Sequence, residues 1–173
     1  MSKEGFAHQL RIDQIRDGDR HELNADAGDR LAIGRRLGLA SIDRFEAHAT
    51  LTREGPAIRA SGRLTAAVTQ DCVVTGEPVT GQIDEPFDLH FMPEPDSASG
   101  EEEIELGESE CDIVFHDGAV IDLGTAIADT LALAVDPYPR SAGAEAALKE
   151  AGILTEAEAS PFAVLAKLKR SDS

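Results

Sequence analysis

Phe45-Glu46-Ala47-His48-Ala49-Thr50-Leu51-Thr52, followed by Arg53-Glu54-Gly55-Pro56 and then by Ala57-Ile58-Arg59-Ala60-Ser61-Gly62-Arg63-Leu64-Thr65-Ala66-Ala67-Val68, is the stretch that decides the fold. In the first part, from about Asp43, Phe45, Ala47, Ala49 and Leu51 alternate with Glu46, His48, Thr50 and Thr52. Successive side chains of a strand point to opposite faces, so this period of two predicts a half-buried β-strand with His48 on the wet side. Ile58, Ala60, Gly62, Leu64, Ala66 and Val68 form the same stripe in the second part, and Arg53 to Pro56 supplies turn chemistry between the two. The expectation is a long antiparallel hairpin.

Continuing the parity places Cys72 on the inward face, as a small buried hydrophobe. After a further turn at Thr75-Gly76-Glu77-Pro78, the positions Val79, Ile83, Phe87, Leu89 and Phe91 carry a third strand, with Pro86 marking an edge or a bulge and His90 on the polar face. Residues Pro93 to Gly107 are poor in apolar residues and rich in Glu, Ser, Gly and Pro, which predicts a mobile acidic loop, extending over about 93–110. A short strand at Cys111 to Phe115 and a turn at His116-Asp117-Gly118 follow. Asp122 then caps a helix from Leu123 to about Val135, with Leu123, Ile127, Leu131 and Ala134 on one face and a stop before Asp136-Pro137.

The outer parts are less regular. The first forty residues show no clean strand. Asn24 or Asp26 caps a helix through Gly38 with Leu31, Ile33 and Leu37 as its apolar positions and Arg30, Arg35 and Arg36 mostly on its wet side. A short helix is expected at Ala144 to Glu150, ended by Gly152, and another after Ser160, with Pro161 in its first turn and Phe162, Leu165 and Leu168 needing a surface to dock on. The fold class is α+β: an antiparallel meander, open or partly closed into a barrel, with a packed helix and a helical C-terminal tail. The expected organisation is a single domain over 1–140 and a helical tail over 141–173.

With 42% apolar and 28% charged residues the composition is that of a folded protein, and the polar N-terminus lacks the apolar stretch of a signal peptide or membrane helix. We expect a cytoplasmic protein with no membrane contact. The formal charge of −17 is not spread evenly. Residues 1–63 hold 11 Lys/Arg against 10 Asp/Glu, residues 140–173 hold five of each, and residues 64–139 hold 18 acids with no Lys or Arg. Such a block repels polyanions and attracts basic partners. Glu94, Asp96, Glu101, Glu102, Glu103, Glu105, Glu108 and Glu110 are therefore the candidate partner-binding residues.

Chemistry leaves no comparable pattern. There is no glycine-rich phosphate loop, no G-x-S-x-G elbow and no histidine pair at metal-ligand spacing. Cys72, Cys111, His116 and Asp117 could in principle bring thiol, imidazole and carboxylate donors to one metal, but no C-x-x-C or H-x-x-x-H frame joins them, so no catalytic residue, metal or cofactor is expected.

Three stretches carry a resemblance: Asp71-Cys72-Val73-Val74-Thr75-Gly76-Glu77-Pro78-Val79; Ile121-Asp122-Leu123-Gly124 leading to Leu131 through Pro137; and Ser160-Pro161-Phe162-Ala163-Val164-Leu165-Ala166-Lys167-Leu168. In order and spacing, over roughly residues 40 to 170, the chain resembles the YceD family of large-ribosomal-RNA accumulation proteins, with Cys72, Pro78, Asp122, Leu123, Pro137, Pro161, Phe162 and Leu165 as the motif residues. The resemblance implies a bacterial, non-enzymatic factor needed for normal levels of 23S ribosomal RNA. It also implies, for many members, a second cysteine three residues after the one matching Cys72 and another Cys or His further on, as in a small metal knuckle. This chain has Thr75 at the first of those positions and Arg140 to Glu145 in the second region.

Two partner readings follow. In the first, the acidic segment engages a basic ribosomal protein or a pre-50S particle, with any ribosomal RNA contact indirect. In the second, Arg30, Arg35, Arg36, Arg59 and Arg63 bind RNA directly. A metal-dependent enzyme is the remaining alternative.

Overall fold

The computed structural model describes residues 6–94 and 112–153. These form seven strands and three helices: β1 (Gln9–Arg11), β2 (Asp19–Asn24), α1 (Ala27–Leu37), β3 (Ser41–Glu54), β4 (Ala57–Asp71), β5 (Pro78–Pro93), β6 (Asp112–His116), β7 (Val120–Asp122), α2 (Leu123–Ala134) and α3 (Ala144–Glu150). Five strands make one open sheet in the order β2-β3-β4-β5-β6, and β1 pairs with β7 in a separate two-stranded ribbon. The sheet does not close into a barrel. The described residues fall into two compact units, the first made of 6–70, 80–94 and 112–137, the second of 71–79 and 138–153.

The alternating stretch forms the hairpin it predicts. β3 and β4 pair antiparallel from Ser41↔Thr69 to Glu54↔Ala57, leaving Gly55 and Pro56 as the loop. Phe45, Ala47, Ala49 and Leu51 are buried on one face together with Ile58, Ala60, Leu64, Ala66 and Val68, while His48 is exposed on the other. Gly62 belongs to the inward stripe for a steric reason. A Cβ there would lie 1.9 Å from the His48 carbonyl oxygen and 2.9 Å from Phe87 Cζ, so only the absence of a side chain lets β3, β4 and the Phe87 ring approach so closely.

β5 adds Phe87, Leu89 and Phe91 to the same core. Pro86 lies in the part of β5 before Leu89, where pairing with β6 begins, so its missing N–H interrupts none of the β5–β6 ladder. That pairing departs from the expected antiparallel sheet. β6 runs parallel to β5, from Leu89↔Asp112 to Pro93↔His116. Parallel neighbours need a long crossover, and residues 95–111 are a connection long enough to make one, whereas a short hairpin would have enforced the opposite direction.

The first forty residues also hold more strand than their pattern suggests. β2 has one fully buried apolar residue, Leu23, yet pairs antiparallel with β3 along its whole length from Asp19↔Leu51 to Asn24↔Glu46. Main-chain hydrogen bonding to an already formed strand, rather than alternation, makes it a strand. Asp26 caps α1 in a capping box, accepting from the Asp29 N–H at 2.8 Å while Asp29 accepts from the Asp26 N–H at 3.2 Å. Ile33 points into the core, but Leu31 does not: it is 56% exposed.

α2 covers the core with Leu123, Ile127 and Leu131, all fully buried at a spacing of four. Asp122 caps it by accepting from the Thr125 N–H at 3.0 Å, and also accepts from the His8 N–H at 3.1 Å. The strap Phe6–His8 lies directly on its first turn, where the Leu123 N–H donates to the His8 carbonyl at 3.0 Å. A Cβ at Gly124 would sit 1.9 Å from the Phe6 carbonyl oxygen. An Arg36–Asp129 ion pair at 3.0 Å joins α1 to α2. Among the described residues no helix is long and apolar enough to cross a membrane.

Candidate functional site

Part of the acidic middle of the chain is taken up by partners inside the fold. On the wet face of the sheet, Arg59 of β4 donates to both carboxylate oxygens of Asp88 at 2.8 and 2.5 Å, and Arg63 donates to Asp84 at 2.6 Å. Glu54 lies 3.7 Å from Arg59, and His90 stands 3.6 Å from Asp88. The Arg59 hydrogen bonds hold the Asp88 carboxyl below the usual carboxylate range. Arg36 takes up Asp129, as described. Asp117 accepts from the Ala119 and Val120 N–H groups of its own turn, which lowers its pKa, and Asp122 caps α2.

These acids are thus occupied inside the fold. The remaining concentration is the run Glu94, Asp96, Glu101, Glu102, Glu103, Glu105, Glu108 and Glu110, in which no Lys or Arg is interspersed. Glu94 is exposed at the end of β5, and its N–H donates to the His116 carbonyl at 3.1 Å. Asp96 through Glu110, and Cys111, lie outside the described residues. Glu94 follows the end of β5, and Asp112 opens β6, which runs parallel to β5.

Of the five arginines singled out in the sequence, Arg36, Arg59 and Arg63 have carboxylate partners, and Arg30 donates to the Ala25 carbonyl at 2.8 Å. Arg30 and Arg35 share the lining of an open cleft between α1 and the start of β3 with Leu31, Leu39 and Ile42. The five are therefore not gathered into one basic surface: Arg59 and Arg63 lie on β4, while Arg30, Arg35 and Arg36 lie on α1.

Cys72 is buried in the second unit. Its Sγ accepts from three main-chain N–H groups, those of Val74 and Thr75 at 3.4 Å each and that of Ser141 at 3.2 Å. The turn is closed by the Cys72 N–H to the Glu77 carbonyl at 2.7 Å and the Gly76 N–H to the Cys72 carbonyl at 2.9 Å, and the Val73 N–H reaches the Pro139 carbonyl at 2.9 Å. Burial pushes the thiol pKa up, but the hydrogen bonds from Ser141 and Thr75 outweigh it and bring it down to about 6. Beside it, Thr75 Oγ1 lies 3.1 Å from Ser141 Oγ and donates to Glu77 Oε2 at 3.0 Å. Hydrogen bonds from Ser141 and Thr75 hold the Glu77 carboxyl low. Cys72 is thus buried, as expected, but it lies past the end of β4 and outside the core cluster of the sheet, and it is also an acceptor. The sequence marks Glu77 only as part of the turn Thr75 to Pro78 and Ser141 only as part of the Arg140 to Glu145 region; it gives no sign that the two share a hydrogen-bond chain.

Residues 60–169 match the family described as large ribosomal RNA subunit accumulation protein YceD. The chain belongs to the YceD family. Searches of curated proteins and of solved structures gave no match. The YceD match begins inside β4, so β1, β2, α1 and β3 precede it, and it spans Cys72, Pro78, Asp122, Leu123 and Pro137 as well as Pro161, Phe162 and Leu165, the last three beyond the described residues. Cys72 and Leu123 are buried, Asp122 is the helix cap, and Pro78 at the start of β5 and Pro137 in the segment after α2 are exposed.

The metal knuckle that the YceD resemblance implies requires several thiolate or imidazole donors. Here Cys72 supplies one sulfur, while Thr75 and Ser141 supply hydroxyls already hydrogen-bonded to each other. Among the described residues no three His, Cys, Asp or Glu side chains stand together as a ligand set. These donors do not fit a metal ion.

Proposed function

We propose that this YceD protein is a non-enzymatic ribosome-biogenesis factor that supports 23S ribosomal RNA accumulation by binding a basic ribosomal protein, alone or on a pre-50S particle, through the acidic run between β5 and β6. The family description points to the large-subunit RNA. The observation that carries the partner chemistry is the division of charge: Asp84, Asp88 and Asp129 are matched to arginines, whereas eight acids between Glu94 and Glu110 stand in a run without Lys or Arg. A run of like charge of that kind speeds encounter with a basic surface and loses affinity as salt screens it. Direct RNA binding through the arginines has less support, because three of the five already pair with carboxylates.

Affinity capture from lysate tests this, using the full chain and a variant in which the eight acids are changed to Gln or Asn. At low ionic strength the wild type recovers large-subunit proteins or precursor particles and the variant does not; raising the salt releases them. Failure to recover any ribosomal protein, or equal recovery by the variant, overturns the proposal. Tight binding of purified 23S fragments to both chains in a filter assay would favour the arginine route instead.

A further inference from the structure

In the second unit a buried thiol and two hydroxyls meet where the resemblance implies a metal knuckle. Three features converge within a few ångströms: the Cys72 sulfur, the Thr75 hydroxyl and the Ser141 hydroxyl. The main-chain N–H groups of Thr75 and Ser141 both point at Cys72 Sγ, at 3.4 and 3.2 Å. Their hydroxyls touch at 3.1 Å, and Glu77 Oε2 lies 3.0 Å from Thr75 Oγ1. Two separate pieces of chain, 71–79 and the chain from 138, are brought together by this arrangement.

In a tetrahedral zinc–thiolate centre, with metal–sulfur bonds of about 2.3 Å, neighbouring sulfurs lie about 3.8 Å apart. The hydroxyls at 75 and 141 stand 3.1 Å apart, near that spacing. A metal joins such segments by bonding to all of them. Here a thiol acceptor and a hydroxyl–carboxylate chain join the same segments.

We infer that the 72–77 turn and Ser141 form a metal-free knuckle, in which N–H bonds to Cys72 Sγ and the Ser141–Thr75–Glu77 hydrogen-bond chain take the place of metal–ligand bonds. The inference is independent of what the acidic run binds. It has two consequences. The native chain needs no metal for the stability of this unit, and replacing the two hydroxyls with thiols restores a centre with three sulfurs and a nearby carboxylate.

The experiment compares the wild type with the double variant Thr75→Cys/Ser141→Cys, using cobalt(II) and zinc(II) as probes. The wild type, after incubation with either ion and dialysis, retains no stoichiometric metal, and a chelator leaves its thermal unfolding unchanged. The reduced double variant takes up one cobalt(II) per chain with the intense visible absorption of tetrahedral thiolate coordination, and zinc raises its Tm. Retention of one metal per wild-type chain, with loss of Tm on chelation, overturns the inference. So does a folded double variant that binds neither ion. Should the double variant fail to fold, Thr75→Val and Ser141→Ala decide: each lowers the Tm of the wild type with or without chelator, and an unchanged Tm in both refutes the role of the hydroxyl chain.

Discussion

Replacing Gly124 with alanine inverts an ordinary rule of helix energetics. In a helix, alanine is more favourable than glycine by up to about 1 kcal/mol, so Gly124→Ala at the start of α2 is expected on propensity alone to stabilise the protein. The tertiary structure demands the reverse. The new Cβ would lie 1.9 Å from the Phe6 carbonyl oxygen, 2.9 Å from the His8 nitrogen and 3.0 Å from the Phe6 carbonyl carbon, all main-chain atoms with no rotamer to escape into.

The Phe6–His8 strap must therefore lift. Lifting it breaks the His8 N–H bond to Asp122 and the Leu123 N–H bond to the His8 carbonyl, each worth about 1 kcal/mol. It also draws Phe6 out of the core, where its ring packs 4.8 Å from that of Phe45, at a cost of up to about 2 kcal/mol. After subtracting the propensity gain and part of the entropy recovered by the freed strap, the net loss is about 2 kcal/mol. Urea unfolding followed by far-ultraviolet circular dichroism suits a chain with no tryptophan. It should show a lower midpoint, and amide exchange at Leu123 should accelerate. A Gly124→Ala protein as stable as the wild type, or more so, would refute the close approach.

Asp122→Ala should cost about 1–2 kcal/mol in the same assay, since it uncaps α2 and orphans the His8 N–H, and Asp122→Asn should recover most of the loss. A double-mutant cycle on Arg59 and Asp88 should give a coupling of about 0.5–1 kcal/mol; the pair is bidentate, but side-chain exposures of 42% and 32% leave it screened, and a coupling of zero would show that the contact contributes nothing. Cys72 imposes a pH dependence. Its folded pKa of about 6 lies below the ordinary thiol value of 9.0, so the unfolded chain binds the extra proton between them, and the stability contributed by the thiolate rises from about pH 6 to about pH 9 and is lost as pH falls through 6. The gap in urea midpoint between the wild type and Cys72→Ser should widen over that range, and a narrowing gap contradicts the assignment.

Much of this was written into local sequence. Alternation from Phe45 to Val68 specified both strands of the hairpin and their buried faces, because the period of a strand depends only on neighbouring residues. The fourfold spacing of Leu123, Ile127 and Leu131, between Asp122 and Asp136-Pro137, specified α2 for the same kind of reason. Charge counting located the acidic run, and three short motifs pointed to the YceD family.

Tertiary structure decided everything that depends on who meets whom. β2 is a strand because β3 offers it hydrogen bonds, not because its own residues alternate, and β6 runs parallel because the long acidic connection allows it. Leu31 sits at a helical spacing yet faces solvent. Arg59 and Asp88 are 29 residues apart, and the cysteine at 72 finds an N–H donor at 141; neither pairing leaves a trace in a local pattern. Periodicity encodes which face of an element is apolar. Which donor, acceptor or charge completes that element is settled only when distant segments satisfy one another's polar groups in the folded chain.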